Sequence, residues 1–267
     1  KRLCPQATII SGDMENYSKY SQLVTNIIKE NVPQFEKASI DEFYVDLTGM
    51  DKFFGCNMFS QELRKKVIRE SGLPISSGLS INKLVSKVAT DESKPNGQLM
   101  IPFGSEKAFL NPLPIEKLPM VGPKTTELLR QMGVVRIETL SQIPVEMLEN
   151  LLGKNGIELW RRANGIDDSL VVPYSEQKSI GTESTFESDT TDVRFLEAQL
   201  VSMTEKVAFE LRQQTKLAGC VTVKIKYADF NTVTKQCSIV YTSLDHLLIQ
   251  KVKELFYKLY DRRLLVR

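Results

Sequence analysis

Residues 38–47 read ASIDEFYVDL and decide the local fold early in the chain. Two adjacent carboxylates, Asp41 and Glu42, precede an aromatic and β-branched run that ends at a glycine. The S-x-x-E pattern that begins at Ser39 also fits a capping box, which opens many helices. The run after Glu42 has no helical period and has the composition of a strand ended by a turn residue. The stretch therefore predicts a hairpin whose turn carries both carboxylates, with residues 32–38 as its other arm.

The two carboxylates at this turn predict a cation site. Neighbouring side chains of a regular strand point to opposite faces, whereas at a turn both can approach one point. Two carboxylates that lie close together need a cation between them, or one of them takes up a proton. Asp41 and Glu42 are therefore the candidate metal ligands.

The composition is that of an ordinary soluble globular protein. The chain has 267 residues, 42% of them hydrophobic and 25% charged, which is enough for two or three domains. No stretch approaches the roughly 20 apolar residues of a membrane span and no secretory leader is recognisable, so we expect a cytoplasmic protein. Because the net charge is only +2, any binding of nucleic acid depends on local patches.

The cysteines and the single histidine argue against several kinds of site. Cys4, Cys56, Cys220 and Cys237 form no C-x-x-C pair, and His246 is the one histidine. This spacing argues against a zinc site and against a disulfide framework. It favours free thiols in a reducing compartment.

Hydrophobic periodicity and turn residues divide the chain into three structured segments and a linker, and predict a multidomain α+β protein. The segments are an α/β part at 1–104, a helical part at 105–166, a linker at 167–176 and a second mixed part at 177–267. The first part is predicted to contain helix 14–30, the hairpin, helix 58–71, strand 75–81, helix 82–92 and strand 98–101. The last part has a split-βαβ pattern, with strand 178–187, helix 194–215, strands 219–228 and 234–243, helix 245–261 and a short strand at 264–266.

Three lysines that follow the hairpin are candidate phosphate ligands. Lys83 and Lys87 are four residues apart on a predicted helix, so their side chains project from the same face of it. Lys94 is the first residue of the turn K-P-N-G. Lysines fixed near paired carboxylates suit an anion that a metal and a lysine neutralise together. The alternative is a solvated helix face, which is common.

Residues 118–125, LPMVGPKT, resemble the turn of a helix-hairpin-helix, in which glycines let backbone N–H groups approach a DNA phosphate. The usual pattern has a glycine on each side of the central apolar residue, but here Met120 takes the first place and Gly122 the second. Gly122 and Lys124 are the candidate DNA contacts of this corner. An ordinary packing corner between two helices is the alternative interpretation.

The predicted strand at 219–228 has one apolar and one polar face. Its apolar side chains alternate with Thr222, Lys224 and Lys226. A sheet face that bears lysines can lie along a phosphate backbone, so Lys224 and Lys226 are candidate DNA contacts. A solvated outer face is the alternative.

Taken in order, these motifs resemble the Y-family of DNA polymerases, in particular its DNA polymerase IV branch. The resemblance covers essentially the whole chain and is carried by Leu3-Cys4-Pro5, Ser39-Ile40-Asp41-Glu42, Lys94-Pro95-Asn96-Gly97 and Lys178-Ser179-Ile180-Gly181. It implies a partial palm with a mixed sheet at 1–104, a small all-α thumb at 105–166 and a little finger at 177–267. It also implies a template-directed, low-fidelity polymerase that acts in translesion synthesis and DNA damage tolerance.

The resemblance assigns roles to the candidate residues. Asp41 and Glu42 would be catalytic carboxylates that ligate Mg²⁺, and Lys94 would contact the incoming deoxynucleoside triphosphate. Lys83 and Lys87 would lie near the primer–template DNA or the nucleotide. Two Mg²⁺ ions would support attack of a primer 3′-OH on the α-phosphate.

The sequence departs from the family pattern at both ends. The family begins with a strand that bears D-x-D-x-F-F-A and another metal-ligating aspartate, and continues into the fingers; neither is found here. The last strand of the little finger and the tail that binds the sliding clamp are not found either. We therefore expect residues 1–267 alone not to polymerise, whereas the parent protein should polymerise and bind a sliding clamp.

Two other functions fit parts of the sequence. A non-catalytic DNA-binding member of the same fold would lack an upstream D-x-D, which the polymerase would have. A helix-hairpin-helix repair nuclease explains residues 105–166 alone and leaves the split-βαβ pattern without a role.

Overall fold

The computed structural model describes residues 4–50, 55–173, 175–261 and 263–267. Leu3, in the first of the matching stretches, and Tyr174, in the predicted linker, lie outside the described residues. The chain divides into two units, Lys1–Ser175 and Glu176–Arg267, and each is described by itself.

Unit 1 begins with two helices packed on the predicted hairpin. The hairpin is antiparallel, and Phe35 lies opposite Val45 in its register. The side chain of Asp13 accepts a hydrogen bond from the Asn16 N–H and so caps the first helix. Apolar side chains from both helices and from the hairpin form one hydrophobic core. The elements are α1 (Met14–Asn31), β1 (Gln34–Lys37), β2 (Phe43–Asp46) and α2 (Cys56–Ser71).

A parallel strand pair follows and is crossed over by a helix. Strand β3 (Ser77–Leu79) pairs with β4 (Gln98–Met100), and α3 (Lys83–Glu92) connects them, because parallel neighbours need a crossover. Gly78 allows α3 to approach β3 closely, since a Cβ there would lie 2.2 Å from the Ser86 carbonyl oxygen. Among the described residues the four strands of unit 1 form two separate pairs. One pair is antiparallel and the other is parallel, so this part has the predicted mixture of helices with small sheets of both strand directions.

The rest of unit 1 is helical, as the sequence predicted for residues 105–166. One continuous hydrophobic core joins α3 to this part and includes the fully buried side chains of Val85, Leu110 and Leu129. The predicted boundary at residue 104 thus crosses a shared core, and it stays a prediction. The helices are α4 (Glu106–Leu110), α5 (Pro123–Gln131), α6 (Ile137–Gln142), α7 (Val145–Leu152) and α8 (Lys154–Ala163), with a 3-10 turn at Ile115–Lys117.

Unit 2 is an antiparallel strand pair covered on one face by two helices. Its elements are α9 (Val193–Gln213), β5 (Ala218–Lys226), β6 (Thr232–Thr242) and α10 (Asp245–Leu259). Alternate side chains of β5 are buried against the helices, and the side chains between them are exposed. This confirms the predicted order helix, strand, strand, helix and the two faces of the strand at 219–228.

The predicted strand at 178–187 is wrong, because that segment forms no strand ladder. Ile180 and Phe186 still pack against the core of unit 2. Their even spacing fits an extended chain that is anchored by side chains, and a sequence pattern cannot distinguish such a chain from a hydrogen-bonded strand. Isolated bridges join Val266 to Thr190 and Tyr227, where the sequence predicted a short strand.

The described residues contain neither a disulfide bond nor a helix that could span a membrane. The four cysteines predicted to be free thiols are unpaired. No helix in the described part of the chain combines the length and the apolar character that crossing a membrane requires.

Candidate active site

The hairpin turn that carries the two carboxylates is closed by Ser39. Its hydroxyl accepts hydrogen bonds from the N–H groups of Asp41 (3.3 Å) and Glu42 (3.1 Å) and donates to the Asp41 carboxylate (2.7 Å). The carbonyl of Glu42 accepts a hydrogen bond from the Ala38 N–H at 2.9 Å. The S-x-x-E pattern therefore supplies the hydrogen bond of a capping box, but it closes a turn between strands. We call residues 38–42 the carboxylate turn.

Helix α1 fixes the position of the carboxylate turn. Ser21, which is buried on α1, donates its hydroxyl hydrogen bond to the carbonyl of Ile40 at the tip of the turn. Lys37, at the end of β1, donates to the hydroxyl of Thr25 on the same helix (3.1 Å). Both contacts hold the turn against a helix that is itself part of the core.

Helix α3 presents a series of alternating charges to the turn. The ammonium of Lys87 forms an ion pair with the Glu42 carboxylate and lies 3.5 Å from a carboxylate oxygen of Asp91. The other oxygen of Asp91 accepts a hydrogen bond from Lys94 at 2.7 Å. The structure thus brings together Glu42, Lys87 and Lys94 from the predicted site, and it adds Asp91, which the sequence analysis did not select.

The pKa shifts show that the two central groups of this series, Lys87 and Asp91, stay charged. Burial by itself would lower the pKa of Lys87, but the hydrogen bond to Glu42 and the charge of Asp91 outweigh it and raise that pKa. Burial would raise the pKa of Asp91, but the hydrogen bond from Lys94 and the charge of Lys87 outweigh it and lower that pKa. At neutral pH Lys87 is therefore positive and Asp91 negative.

Lys83 leaves α3 near Lys87 but has different partners. Its ammonium pairs with Glu36 at 2.6 Å, donates to the Leu170 carbonyl at 3.2 Å and lies 4.8 Å from the centre of the Tyr44 ring. The Glu36 carboxylate also accepts a hydrogen bond from the Val172 N–H at 2.8 Å. A contact between Lys83 and DNA stays a prediction, and it would require this ion pair to open.

Residues 165–172, which we call the strap, lie along the first part of unit 1. Besides the contacts of Lys83, the Asn82 side chain donates to the Gly165 carbonyl (2.8 Å), and the Leu84 N–H donates to Asp167 (2.9 Å). The Gln34 side chain donates to the Val171 carbonyl (2.6 Å). Most of the predicted linker at 167–176 is therefore bound to unit 1.

In the helix-hairpin-helix corner, the position that requires unusual backbone is Met120. Its φ of 76° lies in the left-handed region, which glycine adopts without strain, and this explains the glycine of the usual pattern. Gly122 has an ordinary φ of −84° and precedes the first turn of α5. A Cβ on Gly122 would meet nothing within 4 Å, so the space beside it is open. Lys124 is exposed on the first turn of α5.

The polar face of β5 carries both predicted lysines. Lys224 forms an ion pair with Glu183, and Lys226 lies over the ring of Phe230, 4.9 Å from its centre. The guanidinium of Arg267 lies 4.8 Å from the centre of the same ring. Sequence reasoning missed Phe230 and Arg267, because neither is on β5, although an exposed aromatic in a polar hairpin turn is a recognisable signal.

The metal-binding capacity of the site rests on the carboxylate turn. Among the described residues, no group of three or more His, Cys, Asp or Glu side chains could hold a metal ion. Asp41 is exposed and Glu42 is half-buried. Both offer the carboxylate oxygens that Mg²⁺ prefers, and Mg²⁺ usually takes one or two protein carboxylates and completes its shell with water and phosphate. The residues present therefore fit a magnesium ion that also binds a substrate phosphate.

Comparison with protein families gives three matches along the chain. Residues 1–91 match the impB/mucB/samB family, and residues 177–267 match the C-terminal domain of that family. Residues 104–134, which include the corner at Met120 and Gly122, match the HHH motif of the same family.

Curated relatives carry the description DNA polymerase IV. That of Dehalococcoides mccartyi (strain CBDB1) is 38% identical over 237 residues, which are 88% of this chain and 61% of the relative. That of Halorhodospira halophila is 34% identical over 239 residues, which are 89% of this chain and 67% of the relative. The chain thus spans 61% of the length of the first of these relatives.

Solved structures share the fold. A Y-family DNA polymerase chimera of Dbh and Dpo4 matches with a TM-score of 0.84 and 23% identity, over 100% of this chain and 78% of that chain. A DinB family error-prone DNA polymerase from Sulfolobus solfataricus matches with a TM-score of 0.62 and 21% identity, over 100% of this chain and 80% of that chain.

Proposed function

Because the chain belongs to the impB/mucB/samB family of Y-family DNA polymerases, we propose that it serves template-directed, low-fidelity DNA synthesis. The reaction is transfer of a deoxynucleotide to a primer 3′-OH, and its role is translesion synthesis in DNA damage tolerance. The substrates are primer–template DNA and deoxynucleoside triphosphates. The bacterial relatives favour a cytoplasmic location, where both substrates are found.

The observation that carries this proposal is the meeting of the carboxylate turn with α3. The neighbouring residues Asp41 and Glu42 provide carboxylate oxygens on the turn, Lys87 pairs with Glu42, and Asp91 connects Lys87 to Lys94. A metal-bound triphosphate combines a cation with an extended anion, so it needs both kinds of group at once. Lys94 is 55% exposed and can move from Asp91 to a phosphate.

Asp41 and Glu42 would hold Mg²⁺. When bound, Mg²⁺ would make the 3′-hydroxyl easier to deprotonate and would offset the charge of the leaving pyrophosphate. The contribution of this chain is to fix the carboxylate turn through Ser39 and Ser21 and to present Lys94 to the triphosphate.

Two surfaces would bind the DNA backbone. The corner at Gly122 and Lys124 offers open space beside the N-terminus of α5, where N–H groups can meet a phosphate. The polar face of β5 offers Lys224 and Lys226. Lys83 and Lys87 are further candidates, once their ion pairs open. A sliding clamp is a proposed partner of the complete gene product on family resemblance alone.

The test is primer extension with Mg²⁺ by the complete gene product that carries this sequence, wild type beside Asp41→Ala and Glu42→Ala. We expect each change to reduce extension more than about a hundredfold, because loss of a group that merely orients a metal ligand already costs 10- to 100-fold. DNA binding, measured by fluorescence anisotropy, should be retained.

The control is Glu62→Ala, which removes one carboxylate from a surface ion pair on α2 (Glu62 to Lys65, 2.8 Å) and should leave extension unchanged. If both Asp41→Ala and Glu42→Ala still extend the primer, Asp41 and Glu42 have a structural role only. A wild-type protein that binds DNA and never extends the primer would favour the non-catalytic alternative.

A further inference from the structure

Asp91 lies between the lysine that holds the candidate metal ligand and the lysine assigned to the triphosphate. One of its oxygens is 3.5 Å from Lys87, and the other accepts a hydrogen bond from Lys94 at 2.7 Å. The hydrogen bonds at the end of α3 use the Asp91 main-chain carbonyl, not its carboxylate. The carboxylate is therefore available for the two lysines.

A metal ion that binds Glu42 would compete with Lys87 for that carboxylate. Lys87 occupies the Glu42 carboxylate, and two cations on one carboxylate repel each other. The Lys87 side chain is 25% exposed, so moving its charge to a place without an acceptor would be unfavourable. Asp91 is already within 3.5 Å and can accept the ammonium when it leaves Glu42.

We propose that Asp91 is a positioning residue that receives Lys87 when a metal ion takes over Glu42, and that holds Lys94 ready for the triphosphate. This inference rests on the proposed function. It makes metal binding and nucleotide binding cooperative, because Lys87 and Lys94 share one acceptor.

The test is Asp91→Asn in the complete gene product, which keeps the shape of the side chain and removes its charge. The matched control is Glu92→Gln, because Glu92 is the next residue on α3 and pairs with another lysine, Lys117, at 2.8 Å. The probes are Mn²⁺, titrated by electron paramagnetic resonance into the complex with primer–template DNA, and steady-state extension with one deoxynucleoside triphosphate. Thermal unfolding of both variants reports on the fold.

For Asp91→Asn we expect the dissociation constant of Mn²⁺ to rise about tenfold, as when a group behind a metal ligand is lost. The KM for the nucleotide should rise about tenfold, the equivalent of one charge-assisted hydrogen bond, with a smaller change in kcat. Glu92→Gln should match the wild type in both measurements.

The inference is overturned if Asp91→Asn matches Glu92→Gln in Mn²⁺ binding and KM. It is also overturned if Asp91→Asn lowers only the unfolding temperature, which would be a purely structural role. In either case the proposed function still stands if Asp41→Ala abolishes extension. Failure of the proposed function itself is seen separately, as extension by Asp41→Ala.

Discussion

The lysines of the α3 site and those of the β5 face differ in their surroundings, and the difference indicates different ligands. On α3, Lys87 is 25% exposed and lies between the carboxylates of Glu42 and Asp91, and Asp91 also binds Lys94. On β5, Lys224 is 41% exposed and stands with Lys226 on an open strand face. A site of alternating charges suits one compact ligand that brings its own cation. An open row of lysines suits a long polyanion.

The largest expected effect concerns how closely α3 approaches its strand. In Gly78→Ala, the new Cβ would lie 2.2 Å from the Ser86 carbonyl oxygen and 2.7 Å from the Thr90 nitrogen, both backbone atoms of α3. We expect unit 1 to lose about 3 kcal/mol of unfolding free energy, at the upper end of overpacking effects. Trp160, the single tryptophan, packs against the core shared with α3, so its fluorescence during urea unfolding measures the loss.

The matched change in unit 2 is Gly219→Ala. There the Cβ would lie 2.7 Å from a ring carbon of Tyr241, a side chain that is 73% exposed and can turn away. We expect a cost below about 1 kcal/mol and no change in the Trp160 transition. Equal losses in the two variants would mean that α3 can move away from β3, and the alternating charges would then lack a fixed support.

Local patterns predicted most elements of both units. The aromatic run after Glu42 predicted the hairpin, and Asn82 caps α3 by accepting a hydrogen bond from the Val85 N–H at 2.9 Å. The alternation along β5 predicted its two faces. These signals are local, because propensity, caps and periodicity act between residues close in sequence.

Contacts between distant residues could not be predicted in the same way. The strap reaches β1 across 136 residues, from Val172 to Glu36, and no short pattern marks either partner. Asp91 was overlooked because an acid near two lysines on a helix also fits a solvated face. Its role depends on where the carboxylate turn lies in three dimensions.

A second prediction concerns the strap and its dependence on pH. In Lys83→Met, Glu36 keeps the hydrogen bond from the Val172 N–H but loses its ion pair, at a place where both side chains are about four-fifths buried (18% and 21% exposed). We expect unit 1 to lose about 2 kcal/mol at pH 7, as for a charge-assisted hydrogen bond lost from a partly buried acid. Urea unfolding followed by Trp160 fluorescence measures it.

The pKa of Glu36 sets the pH window for this loss. Burial would raise that pKa, but the hydrogen bonds from Lys83 and Val172 and the charge of Lys83 outweigh it, so the pKa lies below its ordinary 4.5. A lowered pKa stabilises the fold above the unfolded value, and the contribution disappears as the pH falls through the folded value. The difference between wild type and Lys83→Met should therefore shrink below pH 4.5. A difference that stays constant down to about pH 3 would show that Glu36 is not its source.

The smallest expected effect tests the open face of β5. For Lys226→Ala we expect the slope of log affinity for primer–template DNA against log salt to fall by about 1, as when one phosphate contact is lost. Lys224→Ala should change it less, because Glu183 already neutralises that ammonium. Fluorescence anisotropy over a range of KCl concentrations measures both slopes.

The control is Lys251→Ala on α10, which packs on the opposite face of the sheet and should keep the wild-type slope. If Lys251→Ala lowers the slope as much as Lys226→Ala, the DNA is not bound along β5. The lysines of β5 and those of the α3 site would then differ only in exposure, and not in the ligand that they bind.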